Sequence, residues 1–239
     1  MSSEDVTIGN VFNSRQWSYF IGLTIAYFAA KYSFGGDDIK GTVFTGIYFM
    51  LLFALMVHLN NTLIMEKCHG ISNNTIFLIV FGTLLPWMGI LGVTYILITI
   101  MPGWKAPFSN TFGYAAIYLA GAENTLSEII QTKYSQNISD ADASKISGEM
   151  KLTSSVISSI YENKALLINE VTPDNYTQFW EKIKPIMRPG VYNNNALFAK
   201  FASLIQLKDI VSECIWFLLS GLLSMSISIN TIMNSHCNT

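Results

Sequence analysis

Four long apolar stretches, separated by polar segments, dominate the pattern along the chain: residues 17–34, 41–59, 75–101 and 210–233. The hydrocarbon core of a bilayer is about 30 Å thick, so a helix needs about 20 mostly apolar residues to cross it. The second and third stretches contain no charged residue and lack the polar stripe of a soluble core helix. The pattern therefore predicts an all-α, polytopic membrane protein with about four transmembrane helices.

The polar segments complete the predicted domain organisation. Residues 1–16 form an N-terminal tail, 17–101 a membrane region with three spans, and 234–239 a C-terminal tail. Residues 102–209, between the third span and the fourth span at 210–233, are predicted to form a helical extramembrane domain.

Amphipathic spacing and capping residues predict the helices of this domain. Ser109 or Asn110 is suited to cap a helix over 111–134, and a second helix is expected over 139–171. Thr172 is the expected cap of a third helix. A last helix follows the Asn-Asn-Asn sequence and is expected to continue into the fourth span.

Composition and charge agree with a membrane location. Hydrophobic residues make up 51% of the chain and charged residues 13%, about half of the usual 25%. The net charge of −2 gives no electrostatic support for nucleic-acid binding. We therefore expect the lipid bilayer, and no nucleic acid, among the partners.

Basic residues near the predicted spans are unevenly distributed. The side of 102–209 has Lys31, Lys40, Lys105, Lys200 and Lys208, and the side of the termini has Arg15 and Lys67. Because basic residues favour the cytoplasmic face of a membrane, this pattern predicts a cytoplasmic extramembrane domain.

The segment that follows the third span is typical of a membrane boundary. We expect an interfacial anchor and hinge formed by Pro102, Gly103, Trp104, Lys105, Pro107 and Phe108. Pro102 and Gly103 stop the span, and Trp104 suits the headgroup layer. Pro107 is expected to keep the chain extended. The aromatic residues that follow are expected to hold the next helix against the membrane or against the core of the domain.

Small residues recur at four-residue spacing in two spans. The predicted helix-packing faces are Gly22, Ala26 and Ala30 in the first span, and Ser220, Ser224 and Ser228 in the fourth. Such faces allow close approach of helices, and serine can bond to a neighbour. The pattern is compatible with packing inside one chain and with a homo- or hetero-oligomer.

Two charged residues and one proline interrupt the spans. Lys31 and Glu213 lie near span ends, where each can place its charge among headgroups. They would pair if the first and fourth helices pack together, but we expect two independent groups. Pro86 is expected to bend the third span, because proline removes a backbone donor.

No pattern of catalytic chemistry emerges. Phosphate-binding, dinucleotide-binding, zinc-protease, hydrolase and calcium-loop motifs are absent. Cys68, Cys214 and Cys237 lack metal-binding spacing, and His58 and His69 lack an accompanying set of carboxylates. We therefore expect no catalytic residue, no cofactor and no metal site, and a structural or docking protein rather than an enzyme.

Two sequences carry a resemblance to a known family. "PGWKAPFSNTFGY" and "ENKALLINEVTPDNYTQFW" resemble a membrane or minor capsid protein family of large nucleocytoplasmic DNA viruses that infect algae and protists. The resemblance implies a virion protein of the internal membrane, or of the host membrane used for virus assembly. It also implies that residues 102–209 bind capsid or other membrane proteins and link the membrane to the capsid shell.

Two other functions remain open. The serine face of the fourth span and the bent third span are compatible with a small oligomeric channel or transporter. An enzyme that acts on lipids would need polar groups that converge at the membrane surface.

Overall fold

The computed structural model describes residues 3–33, 38–68, 73–130 and 164–234. Across these residues the chain is helical, and the prediction of an all-α protein is confirmed. The α-helices are α1 (Ser3–Ser33), α2 (Asp38–Cys68), α3 (Asn73–Pro86), α4 (Val93–Ile100), α5 (Ala106–Phe108), α6 (Tyr114–Leu119), α7 (Ala122–Ile129), α8 (Lys164–Asn169), α9 (Tyr176–Ile183) and α10 (Asn195–Met233).

Three helical segments are long and apolar enough to cross a membrane. They are Gly41–Lys67, Ile76–Ile100 and Asn195–Met233. Two of them contain the second and fourth predicted stretches, and Ile76–Ile100 covers all but the end residues of the third, so a membrane-embedded helical protein is supported. The first stretch, 17–34, falls largely within α1, and its role as a span stays a prediction.

The chain divides into two compact units. The first comprises Met1–Ala106 and Glu213–Thr239, and the second comprises Pro107–Ser212. The long helix α10 belongs to the second unit up to Ser212 and to the first from Glu213. The prediction that the last helix of the polar region continues into the fourth span is therefore confirmed.

A π-helical turn follows Pro86 in the third span. Helix α3 ends at this residue, and Trp87–Gly92 forms the wider turn before α4 begins. Proline cannot donate a backbone hydrogen bond to the preceding turn. Single π-helical turns inserted in α-helices often adjust the register of the helices around them. At Pro86, where we expected a bend, the helix therefore changes locally in register.

The second unit has its own hydrophobic core, formed by residues of α6 to α9 and the first half of α10. Its largest fully buried side chains include Phe201, Ile117 and Leu126. The backbone N–H of Arg188 donates to Ile129 O at 2.9 Å, and its Nε donates to Ile130 O at 3.2 Å. These bonds tie the end of α7 to the segment that follows α9.

The first helices of this unit differ from the prediction. Pro107 lies inside α5 rather than in an extended segment, and the helix begins at Ala106, before Ser109 or Asn110. The helix predicted over 111–134 is divided at Gly121, whose φ of 87° is left-handed. Because glycine adopts this conformation without a steric penalty, it ends α6 and starts α7.

The next two predicted helices can be compared only in part. Most of 139–171 lies outside the described residues, and α8 covers its C-terminal end. The cap predicted at Thr172 is wrong, because α9 begins later, after Asn175. Thr172 N–H donates to Asn175 Oδ1 at 2.9 Å, and Asn175 N–H donates to Thr172 Oγ1 at 3.4 Å. The two side chains stabilise a turn in place of the predicted first turn.

Lys208 is buried in the second unit rather than exposed near a membrane surface. Its Nζ donates to Ile168 O at 2.7 Å and to Asn169 O at 3.4 Å. It therefore satisfies carbonyl groups at the C-terminal end of α8, where a positive charge is favourable. Since Lys208 counted toward the predicted orientation, that prediction rests on fewer exposed basic residues than the sequence suggests.

Two glycines of the first unit, Gly22 in α1 and Gly221 in α10, allow a matched test of packing. A Cβ at Gly221 would overlap the ring of Phe20, which is fully buried against Trp87, whereas a Cβ at Gly22 meets no atom within 4 Å. We expect Gly221→Ala to lower the free energy of unfolding by about 1 to 3 kcal/mol, because the core is overpacked.

Gly22→Ala is the control for this experiment. It should be neutral or stabilising by about 0.5 to 1 kcal/mol, because alanine favours the helix. The measurement is the thermal unfolding of the purified protein in detergent micelles. Equal midpoints for the two variants would contradict the packing argument.

Candidate functional site

Lys31 and Glu213 form an ion pair between α1 and α10 in the first unit. Lys31 Nζ lies 2.6 Å from Glu213 Oε1 and 2.8 Å from Oε2. The Lys31 side chain is 25% exposed and that of Glu213 is 9% exposed. The expectation of two independent groups is therefore wrong. A charge that is mostly removed from solvent is stabilised by an opposite charge and by bidentate bonding, and this geometry provides both.

Next to the ion pair along α1, two hydrogen bonds between tyrosine and threonine side chains join α1 to α2. Tyr27 OH is 2.7 Å from Thr45 Oγ1, and Tyr48 OH is 2.9 Å from Thr24 Oγ1. Thr45 Oγ1 also donates to Gly41 O at 2.8 Å. A hydroxyl has one proton, so Tyr27 must be the donor toward Thr45. The two tyrosine rings stack with their centroids 4.2 Å apart.

An apolar layer occupies the middle of the first unit. It consists of the side chains of Phe20, Leu52, Met56, Trp87 and Leu91, each at most 1% exposed. Phe20 and Trp87 contact edge to face, with centroids 5.4 Å apart. The indole N–H of Trp87 has no acceptor among the described residues.

Asn60 is the centre of a second polar layer, which joins four helices. Its Oδ1 accepts from Gln16 Nε2 at 2.9 Å, and its Nδ2 donates to Thr83 Oγ1 at 2.8 Å and to Ser228 Oγ at 2.9 Å. Thr83 Oγ1 donates in turn to Ile79 O at 2.6 Å. The four side chains that form the layer are buried. A single amide therefore connects α1, α2, α3 and α10.

The two polar layers are well separated. Gln16 and Lys31 are 15 residues apart on α1, or about 22 Å at the rise of an α-helix. The apolar layer around Phe20 and Trp87 lies between them. Between the two layers, α10 also carries the buried Ser220 and Ser224, and each donates its hydroxyl proton to a carbonyl of its own helix.

Comparison with known proteins adds no identification. No family model, curated protein or solved structure matches this chain. The resemblance to a viral membrane protein family therefore stays a prediction that these comparisons do not test.

The arrangement of titratable groups is that of a structural contact. Among the described residues, no three His, Cys, Asp or Glu side chains converge as metal ligands would. Lys31 and Glu213 face each other, and each is bonded to the other. The chemistry that the site offers is thus charge neutralisation and hydrogen bonding between helices.

The predicted anchor residues lie on both sides of the boundary between the units. Pro102–Lys105 forms one 3₁₀ turn after α4, and Pro107 and Phe108 lie in α5. Trp104 is exposed, and its carbonyl accepts a bond from Trp216 Nε1 at 2.9 Å. The turn is therefore attached to α10. Whether the segment acts as a hinge stays a prediction.

The two predicted helix-packing faces lie in different surroundings. Gly22 and Ala26 are exposed on α1, and Ala30 is half-buried. On α10, Ser220, Ser224 and Ser228 are buried. Ser220 and Ser224 donate to backbone carbonyls of their own helix at 2.7 and 2.8 Å, and Ser228 accepts the bond from Asn60. The serine face thus packs inside the chain, whereas the small residues of α1 face outward.

Sequence reasoning missed Gln16, Asn60 and Thr83. Asn60 directly follows the predicted second span, 41–59, which ends one residue before it. Helix α2 continues to Cys68, and the buried residues Leu52, Met56, Asn60 and Leu63 recur at three- or four-residue spacing. This periodicity was the signal that placed Asn60 on the inner face.

The role of Asn60 can be tested against its neighbour in sequence. We expect Asn60→Leu to lower the free energy of unfolding by about 1 to 3 kcal/mol, because buried partners on three helices lose a bond. The measurement is denaturant or thermal unfolding in detergent micelles.

Asn61→Leu is the matched control. Asn61 is half-buried and donates a weak bond to Met65 Sδ at 3.7 Å, so its loss should cost less than about 0.5 kcal/mol. Equal stability of the two variants would show that the Asn60 network does not hold the helices together.

The ion pair can be tested with a double-mutant cycle of Lys31→Met and Glu213→Gln. We expect the double variant to lose less free energy of unfolding than the two single variants lose together. The difference should be about 1 kcal/mol or more, because charges in contact are energetically coupled. The exposed pair Lys200 and Glu128, 3.4 Å apart, serves as the control. Its coupling should lie within about 0.5 kcal/mol of zero. Additive effects at Lys31 and Glu213 would contradict the contact.

Proposed function

We propose that this chain is a structural integral membrane protein whose helix bundle anchors the unit Pro107–Ser212 at a membrane, where that unit binds other proteins. The observation that carries the proposal is that most buried polar side chains of the bundle bond to a neighbouring helix or to their own backbone. A channel or transporter needs polar groups along a path across the membrane. Here the buried polar groups are already engaged in such bonds: Asn60 bonds to three other helices, and Lys31 bonds to Glu213. The serines between the two layers, Ser220 and Ser224, donate to carbonyls of their own helix.

The second unit supports a docking role. It has an extensive core of its own, centred on residues such as Leu126, Trp180 and Phe201. A preformed domain binds a partner without the entropic cost of folding on binding. The unit therefore suits a protein that presents a fixed surface beside a membrane.

A topology of four crossings fits this proposal, with α1 as the first span. Helix α1 packs against α2, and its Lys31 reaches Glu213 of α10. Four crossings place both termini on one side and Pro107–Ser212 on the other. The remaining basic residues near the spans favour the cytoplasmic side for this unit.

The resemblance in "PGWKAPFSNTFGY" and "ENKALLINEVTPDNYTQFW" supplies the biological setting of the proposal. In that setting the protein is a virion internal-membrane or minor capsid component. The unit Pro107–Ser212 then faces the shell and links it to the membrane.

A small channel or transporter is the second candidate. The observation that favours it is the Lys31–Glu213 pair, because charged residues in membrane helices often mark ion or proton pathways. Against it stands the bonding of these groups, because Lys31 is bonded to Glu213 and the buried Ser220 and Ser224 donate to carbonyls of their own helix.

The structural proposal predicts that the protein remains with purified virus particles and is released only when detergent dissolves the membrane. Chemical crosslinking of native particles should join exposed lysines of the unit, such as Lys182 and Lys184, to a capsid protein. Mass spectrometry identifies the crosslinked peptides. Absence of the protein from purified particles would overturn the viral setting.

A flux assay separates the two candidates. Proteoliposomes that contain the protein should show no proton or ion flux above empty liposomes, and Lys31→Met should change nothing. A flux that Lys31→Met removes would overturn the structural proposal in favour of transport.

A further inference from the structure

The described surface of the second unit exposes large hydrophobic side chains in one place. They are Phe112, Tyr118 and Leu119, which are 55%, 52% and 86% exposed. All three lie within the continuous helical segment formed by α5, a π-helical turn at Ser109–Gly113, and α6. Exposed apolar groups that cluster on a soluble surface mark an interaction site.

The helical segment is two-sided. Ser109, Gly113 and Ile117 are buried against the unit, whereas Phe112, Ala115 and Leu119 are exposed. Each set recurs at three- or four-residue spacing, as the two faces of a helix do. The outward face therefore carries apolar side chains beside the exposed polar residues Asn110 and Thr111. Tyr118 adds a ring whose hydroxyl favours a partly aqueous surface.

We propose that this face, which we call the Phe112–Leu119 face, lies in the interfacial layer of the same bilayer that the membrane helices cross. The partner is a lipid surface rather than a protein. The inference rests on the membrane helices and does not depend on whether the unit also binds a protein.

Chain connectivity favours lipid as the partner. The span Ile76–Ile100 ends shortly before α5, and the intervening residues are mostly helical. At 1.5 to 2.0 Å per residue, Phe112 lies within about 20 to 24 Å of the end of the span along the chain. The face is therefore close to the headgroup layer of the membrane.

The charge pattern points in the same direction. Residues 106–122 contain no charged side chain, whereas Lys105 and Glu123 flank them. An uncharged face with Phe, Tyr and Leu suits the boundary between headgroups and acyl chains. The helical segment, Ala106 to Leu119, is too short to cross the bilayer. It is therefore suited to lie on the membrane.

The test places spin labels on the full-length protein in phosphatidylcholine vesicles, with Cys68, Cys214 and Cys237 replaced by alanine. The label is attached to Phe112→Cys, Ala115→Cys or Leu119→Cys, and in the control to Lys182→Cys on an exposed part of α9. Collision with oxygen, which concentrates in lipid, is compared with collision with a water-soluble nickel complex. An unchanged thermal transition of each labelled protein verifies the fold.

We expect the ratio of oxygen to nickel collisions to be several-fold higher at the three face positions than at residue 182. Because the face is uncharged, the ratio should not change when anionic lipid or salt is added. Water-like ratios at the face would overturn the proposal. Protection from both reagents would also overturn it, because it would indicate a protein partner or a second copy of the chain.

A charge substitution gives an independent measurement. With the label at Ala115→Cys, the pair Phe112→Glu and Leu119→Glu should raise nickel accessibility to the level of residue 182. The control pair Thr177→Glu and Gln178→Glu adds the same charge at exposed positions of α9 and should leave the label in lipid. Both proteins should remain in the membrane after alkaline extraction, because the spans are intact. No change with the first pair would contradict the proposal.

Discussion

Hydrocarbon offers no hydrogen-bond partner, and the packing of the membrane helices depends on this constraint. A polar side chain inside the bundle is therefore stabilised by a bond to another helix or to its own backbone, which most of them make, although the indole N–H of Trp87 has no acceptor among the described residues. Asn60 meets the requirement through three other helices at once, and Lys31 meets it through Glu213. Because a shift of one residue along a helix moves a side chain by 1.5 Å and turns it by about 100°, each bond also fixes a helical register.

The same constraint explains the distribution of side chains across the bundle. Large apolar residues such as Met50 and Leu85 are exposed, where lipid can solvate them. The buried Thr24, Asn60 and Ser228 bond between helices, and the buried Ser220 and Ser224 bond to their own backbone. Gly221 complements this interior, because it leaves room for the ring of Phe20. The sequence is therefore apolar on the outside and selectively polar on the inside.

The features that could be predicted from the sequence are those that depend on the length of an apolar run and on the local pattern of polar and apolar residues. The uninterrupted apolar runs gave the segments Gly41–Lys67 and Ile76–Ile100, and the continuity of the last helix was also predicted. Sequence reasoning failed where the answer depends on tertiary contacts. Lys31 has the same local sequence whether it meets Glu213 or a headgroup. Likewise, in the sequence Asn60 is the polar residue that follows an apolar run. Only its hydrogen bonds to three other side chains show that it belongs to the core.

The direction of the hydrogen bonds is relevant to the choice between a structural protein and a transporter. Beside the ion pair, Tyr27 donates to Thr45, and Thr45 donates to the carbonyl of Gly41. The chain of protons ends there, because a backbone carbonyl cannot pass a proton on. At the other polar layer, Asn60 donates to Thr83, which donates to the carbonyl of Ile79. These two chains of hydrogen bonds therefore each end at a carbonyl of a helix backbone, and neither leads from one polar layer to the other.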